Sequence, residues 1–188
     1  IVASNDLDEF LVESLRAQGA RIDTWGVGTQ LVTSKQDPAL GGVYKLVSIE
    51  EGDQWRPCMK ISSNPGKATS PGVKQIYRGV ADGQFVGDVI ALASEGAPKP
   101  GCAIHDPLYV TPPQQVAADH FEPLLEKVME NGKRTRPTPS LTEIRQRGLD
   151  QLAKLPVGCL RLQNPHLYPN GLSDELYQLR QQLLTARA

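Results

Sequence analysis

The chain has 188 residues, enough for one domain of ordinary size and its core. Twenty basic against 21 acidic residues leave a net charge of −1, which argues against a surface built for nucleic acid or another polyanion. No apolar run is long enough to span a membrane, and no basic stretch leads into an apolar run as in a signal peptide. Cys58, Cys102 and Cys159 are scattered and odd in number, so they read as reduced thiols of a cytoplasmic protein, not as a disulfide frame or zinc knuckle.

Ile1 to Ser4 reads as a buried strand. The chain opens inside it without a Met, which predicts the C-terminal part of a longer protein. Asp6 with Glu9 resembles a capping box, after which Leu7, Phe10, Leu11, Ser14 and Leu15 share one helical face and Gly19 marks the stop. Arg21 to Trp25 alternates as a second strand. Strand, helix and strand predict a right-handed βαβ crossover with both strands ending on one rim, where α/β folds bind ligands. Asn5, Asp6 and Asp8 leave the first strand there, and Gly26, Val27, Gly28, Thr29 and Gln30 leave the second. The two glycines permit a tight turn, and its exposed N–H groups suit an anion such as phosphate. A phosphorylated sugar fits the mixture: acceptors for its hydroxyls, N–H donors for its phosphate.

Leu31 to Pro38 reads as a polar connection, and Gly41-Gly42 launches a strand from Val43 to Ile49. Lys45, within that strand, is either a snorkelling side chain or a cation facing a ligand or carboxylate. Glu50 to Asp53 is a turn, and Trp55 to Ile61 a strand broken by Pro57. Ser62 to Gly72 has the composition of a loop. Lys60, Lys67 and Lys74 flank it, as a solvated surface or as a flap over phosphates. Val73 to Gly79, Asp82-Gly83 and Phe85 to Leu92 predict a β-hairpin, and Ala103 to Val110 a last strand held to an edge or bulge by Pro107. Helices are expected from Pro112 onward. Asp119-x-x-Glu122 caps one whose inward face is Phe121, Leu124, Leu125, Val128 and Met129, and Asn131-Gly132 ends it. Ser140-x-x-Glu143 caps a second, with Leu141, Ile144 and Leu152 inward. A third runs from about Ser173 to Thr185, with Leu176, Leu179 and Leu183 inward.

The segments Ser4-Asn5-Asp6-Leu7-Asp8-Glu9, Trp25-Gly26-Val27-Gly28-Thr29 and Ala39-Leu40-Gly41-Gly42-Val43-Tyr44-Lys45-Leu46-Val47 resemble the nicotinate phosphoribosyltransferase family in order and spacing. Lys60 through Lys74, with Lys67, Thr69, Pro71-Gly72 and Lys74, is a fourth match. The resemblance covers about residues 1–92 well and is looser afterwards. It implies an α/β fold: the C-terminal portion of a phosphoribosyltransferase-type barrel, then strands and helices packing on a second domain. The expected divisions are 1–54 for the closing βα units and phosphate loop, 55–111 for a β-rich return, and 112–188 for a helical segment.

The implied reaction joins nicotinate to the ribosyl group of phosphoribosyl pyrophosphate, coupled to ATP hydrolysis, in a cytoplasmic homodimer that uses Mg²⁺. Gly28 and Thr29 would cradle the 5′-phosphate, with Gly26 and Gln30 beside them. Relatives often carry a small hydroxyl residue where Gln30 stands. Asn5 would meet ribose hydroxyls or cap the helix. Asp6 and Asp8 would favour the helix dipole or help place Mg²⁺. Gly41, Gly42 and Lys45 match the pattern without an assigned role. His105, His120 and His166 lack partners at catalytic or metal spacing, and no metal site is expected in this segment. The catalytic residues, including the histidine that takes up phosphate, would lie upstream, so the isolated segment is expected to be inactive. A phosphoribosyltransferase for nicotinamide or quinolinate, or a non-catalytic fragment, also fits the loop.

Overall fold

The computed structural model describes residues 1–39 and 41–186, so Leu40 of the Leu-Gly-Gly-Val-Tyr-Lys-Leu run lies outside the described residues. The fold is mixed α/β and divides into two compact units: Ile1–Tyr44 with Leu162–Asn164, and Lys45–Arg161 with Pro165–Ala188. Among the described residues the strands form sheets of two or four, none closed into a barrel.

The first unit is the expected βαβ crossover. Strands β1 (Val2–Ser4) and β2 (Thr24–Gly26) pair in parallel, with helix α1 (Glu9–Ala17) between them in sequence. Its start corrects the sequence reading. Asp6 sits at φ 47°, outside the helix, and the cap is Asp8, whose carboxylate accepts the Leu11 N–H at 2.7 Å. The end is as expected: Gly19 takes φ 77°, its N–H donates to the Arg16 carbonyl, and that of Ala20 donates to Leu15, which together form a Schellman turn. Leu7 is buried, but Ile1 and Val2 are exposed, against the expectation of a buried first strand. Its sheet has two strands, too few to cover β1. A short helix, α2 (Thr29–Thr33), follows Gly28 where a plain connection was expected.

The second unit opens on Lys45, Leu46 and Val47, which carry no regular structure. The predicted strand from Val43 therefore forms only at its end, as β3 (Ser48–Glu51). It turns through Gly52 onto β4 (Gln54–Pro57), which stops at the proline. Without a ladder partner, the apolar letters of Val43, Tyr44 and Leu46 stay exposed. The loop between residues 60 and 72 is internally tied. Lys74 Nζ donates to the carbonyls of Ser70, Pro71 and Gly72, and the Thr69 hydroxyl accepts the Lys60 N–H. Lys74 is thus a half-buried loop staple, and its desolvation lowers its pKa.

The predicted hairpin is the centre of this unit. Strands β5 (Lys74–Ala81) and β6 (Gln84–Leu92) join through Asp82 and Gly83 at φ 49° and 74°, the backbone of a type I′ turn. Phe85, Gly87, Val89 and Ala91 alternate inward along β6. A register shift between Gly79 and Val80 places both inward on β5. Beyond it come β7 (Cys102–Ile104) and β8 (Gln114–Val116), an antiparallel pair. The strand expected to reach Val110 ends before Pro107. Tyr77, Val89, Ala91, Ile104, Val116 and Ala118 form the buried core. A Cβ built on Gly79 would lie 3.0 Å from Ala118 and 3.1 Å from Val116, so only a glycine admits them this closely.

The helix expected from Asp119 is a strand instead. β9 (His120–Pro123) pairs with β5, Asp119 accepts the Asp82 N–H rather than capping a helix, and Pro123 would have disrupted a second helical turn. Asn131-Gly132 is not a helix end but the turn between β10 (Met129–Glu130) and β11 (Lys133–Arg134). Helical structure in the C-terminal third begins only at α3 (Leu141–Ala153), which has the expected capping box at Ser140 and Glu143. Its predicted inward residues, Leu141, Ile144 and Leu152, are all exposed. β12 (Asn170–Leu172) adds in parallel to β6, giving the order β12-β6-β5-β9, and α4 (Asp174–Thr185) closes the unit over Leu176.

Candidate functional site

Both strands of the first unit end on one rim, and a cleft of about 310 Å³ opens there. Asn5, Asp6 and Leu7 line it from the first strand's exit. Gly26, Gly28, Thr29 and Gln30 line it from the second. The structure therefore brings together six of the predicted site residues. Asn5 and Asp6 take φ 85° and 47°, a left-handed pair that turns the chain before Asp8 starts α1. Asn5 is not the cap, and its side-chain amide makes no hydrogen bond among the described residues.

The Gly26-x-Gly28 spacing has two separate causes. A Cβ on Gly26 would stand 3.0 Å from that of Ser4, so the close pairing of β2 with β1 requires glycine. A Cβ on Gly28 would meet nothing within 4 Å, so no protein packing explains that glycine. Gly28 gives its carbonyl to the Leu31 and Val32 N–H groups, starting α2. Among the described residues no backbone carbonyl takes the N–H groups of Gly28, Thr29 or Gln30. These amides at an open mouth can donate to an oxyanion, and the absent Cβ lets it approach.

Sequence reasoning missed Lys35, which supplies the cleft with a cation. α2 ends with Ser34 at φ 46°, and the Lys35 N–H returns to the Gln30 carbonyl at 3.3 Å. That reversal carries Lys35 back to the loop it follows. The only signal was a lysine six residues after Thr29, which a polar-connection reading hides. Asp8 and Lys45 stand differently from the other predicted residues. Asp8 lines an adjoining cleft of about 550 Å³, shared with Gln30 and Lys35, and its carboxylate already caps α1. Lys45 belongs to the second unit and is exposed.

Asp6 is thus the one carboxylate lining the smaller cleft. Among the described residues no group of three or more His, Cys, Asp or Glu could hold a metal ion. His105 contacts Asp174 and stacks on Tyr177 at 4.3 Å, as a packed side chain does. His120 lies exposed beside Glu122. Cys58, Cys102 and Cys159 are free, and burial pushes the Cys102 thiol up. No helix among the described residues is long and apolar enough to cross a membrane.

Residues 73–180 match the family model described as the nicotinate phosphoribosyltransferase C-terminal domain. The chain is 38% identical over 185 residues to nicotinate phosphoribosyltransferase of Bacillus subtilis (strain 168), covering 97% of this chain and 38% of that protein. It is 37% identical over 181 residues to the Homo sapiens nicotinate phosphoribosyltransferase, covering 95% of this chain and 33% of that protein. The solved structure of human nicotinic acid phosphoribosyltransferase superposes with a TM-score of 0.71 at 31% identity, over 98% of this chain and 33% of that one. The chain therefore spans well under half the length of these relatives. From the family match and the relatives together, the chain belongs to the nicotinate phosphoribosyltransferase family.

Proposed function

We propose that this chain is the C-terminal part of a nicotinate phosphoribosyltransferase and that its βαβ rim holds the phosphoribosyl group. The enzyme would join nicotinate to phosphoribosyl pyrophosphate, giving nicotinate mononucleotide and pyrophosphate. The observation that carries this reading is that Gly28, Thr29 and Gln30, whose backbone N–H groups are unspent, line an open cleft with Lys35 on its wall. Three donors and a cation suit a 5′-phosphate, and Asn5 offers the ribose hydroxyls both a donor and an acceptor. Held at its phosphate, the sugar is fixed while positive charge develops at C1′ and pyrophosphate departs; this chain contributes positioning. Asp6 fits a Mg²⁺ ion that keeps most of its waters and takes its other oxygens from the substrate, the usual form of such sites. The parallel β1–β2 pair supports a reading as closing units of an α/β barrel. ATP use, a cytoplasmic homodimer, and catalytic groups outside this segment belong to the same proposal.

Titration of the 188-residue chain with ribose 5-phosphate, followed by residue-resolved NMR, tests the site. The amides of Gly28, Thr29 and Gln30 should shift together and saturably, and Lys35→Ala should weaken binding about tenfold. Shifts that bypass those amides would remove the basis of the assignment. The chain alone should release no pyrophosphate with nicotinate present, and such release would contradict its role as a partial site.

A further inference from the structure

We infer a second oxyanion site, in the second unit, centred on Arg180. The residue lies on α4, is 5% exposed, and its Nε has no hydrogen-bond partner. Among the described residues it makes no salt bridge. Its Nε is thus a hydrogen-bond donor closed off from water with no acceptor, which is unfavourable. Most buried polar groups are paired, so this exception calls for a partner.

Arg180 lines a cavity of about 240 Å³. Ser62, Tyr177 and Gln181 also line it. The Ser62 hydroxyl accepts the Asn64 N–H, which leaves its own proton free to donate. Asp106 is the carboxylate on this wall, and one of its oxygens already accepts the N–H groups of Leu108 and Tyr109 at 2.7 and 3.0 Å. Pro107, Leu108 and Leu184 make an apolar side. A guanidinium holds a carboxylate or phosphate through paired N–H bonds, while inorganic phosphate would leave the apolar side unused. The ligand is therefore a small organic oxyanion: a carboxylate or phosphate ester on an apolar body. This site shares no lining residue with the Gly28 cleft, and its proposal does not rest on the phosphoribosyl reading.

Phenyl phosphate, benzoate and inorganic phosphate are the probes, titrated into the 188-residue chain in a chloride buffer. Either organic probe should raise Tm saturably and shift the Arg180 Nε–H signal. Inorganic phosphate should bind about tenfold more weakly, because it leaves the apolar wall empty. A response to phenyl phosphate alone identifies a phosphate ester, and a response to benzoate alone identifies a carboxylate. Arg180→Met should abolish the response and raise Tm without probe, since a buried donor without a partner has been removed. A Tm rise that is linear in probe concentration and equal in R180M is general salt stabilisation and overturns the site. So does an Arg180 Nε–H signal that none of the probes moves. Should R180M not fold, that signal in the unaltered chain decides, with Gln181→Ala expected to weaken the response severalfold.

Discussion

Among the described residues of Ile1–Tyr44 with Leu162–Asn164, Leu7 alone joins the buried hydrophobic set. In the other unit Tyr77, Val89, Ala91, Ile104, Val116 and Ala118 pack into one cluster, with Leu172 and Leu176 fully covered. The poorly buried unit has the open rim with its unspent amides, while the well-packed unit is held by a four-stranded sheet. A ligand site needs donors left unsatisfied by the fold, and a stable core needs the opposite. In this chain the open rim and the packed core fall on different stretches.

The contrast can be broken most directly at Leu176, which has no exposed area. Leu176→Ala should cost about 3 kcal/mol in denaturant unfolding of the sheet unit. A midpoint unchanged from the parent chain would mean that α4 does not close the core. Next comes Gly171→Ala. A Cβ there would stand 2.7 Å from the His105 carbonyl and 3.0 Å from the Ile104 side chain, with backbone on one side that cannot move aside cheaply. A loss of about 2 kcal/mol is expected, read from the same transition. Asp8→Ala removes the cap of α1 and should cost about 1 kcal/mol, seen as faster amide exchange within Glu9–Ala17. If it lowered the sheet unit's midpoint as much as Leu176→Ala does, the two units would not be energetically distinct.

The smallest effect concerns pH. The Ser140 hydroxyl and backbone N–H hold the Glu143 carboxyl below its usual 4.5. A lowered folded value means the unfolded chain binds the proton more readily, so the capping contribution is complete above 4.5 and is lost as pH falls through the lowered value. Exchange at the first turn of α3 should quicken over that acid range, and Glu143→Gln should flatten the dependence.

The places where sequence reading succeeded share a cause. Asp82-Gly83, Gly19 and Ser140-x-x-Glu143 act through a few neighbouring backbone groups, and each formed the expected turn, stop or cap. Asp119-x-x-Glu122 has the same letters as a cap, yet Asp119 was claimed by the Asp82 N–H from 37 residues away. Val43, Tyr44 and Leu46 have strand letters, but a strand exists only where another supplies hydrogen bonds. The apolar period of α3 was legible as a helix, but Leu141, Ile144 and Leu152 stay half exposed or more. Periodicity tells which face could be buried, not whether anything covers it.

At the candidate site, the amino-acid order alone determined that Asn5, Asp6 and the Gly26–Gln30 loop leave adjacent parallel strands, because a βαβ crossover returns the chain to the same rim. Only the tertiary structure decided that Lys35 joins them, that Asp8 is occupied as a cap, and that Arg180 is buried beside a cavity. Local order governs turns and crossovers through bonds between near neighbours. Burial and charge pairing depend on which distant segments arrive, and those are set by the packing of the whole chain.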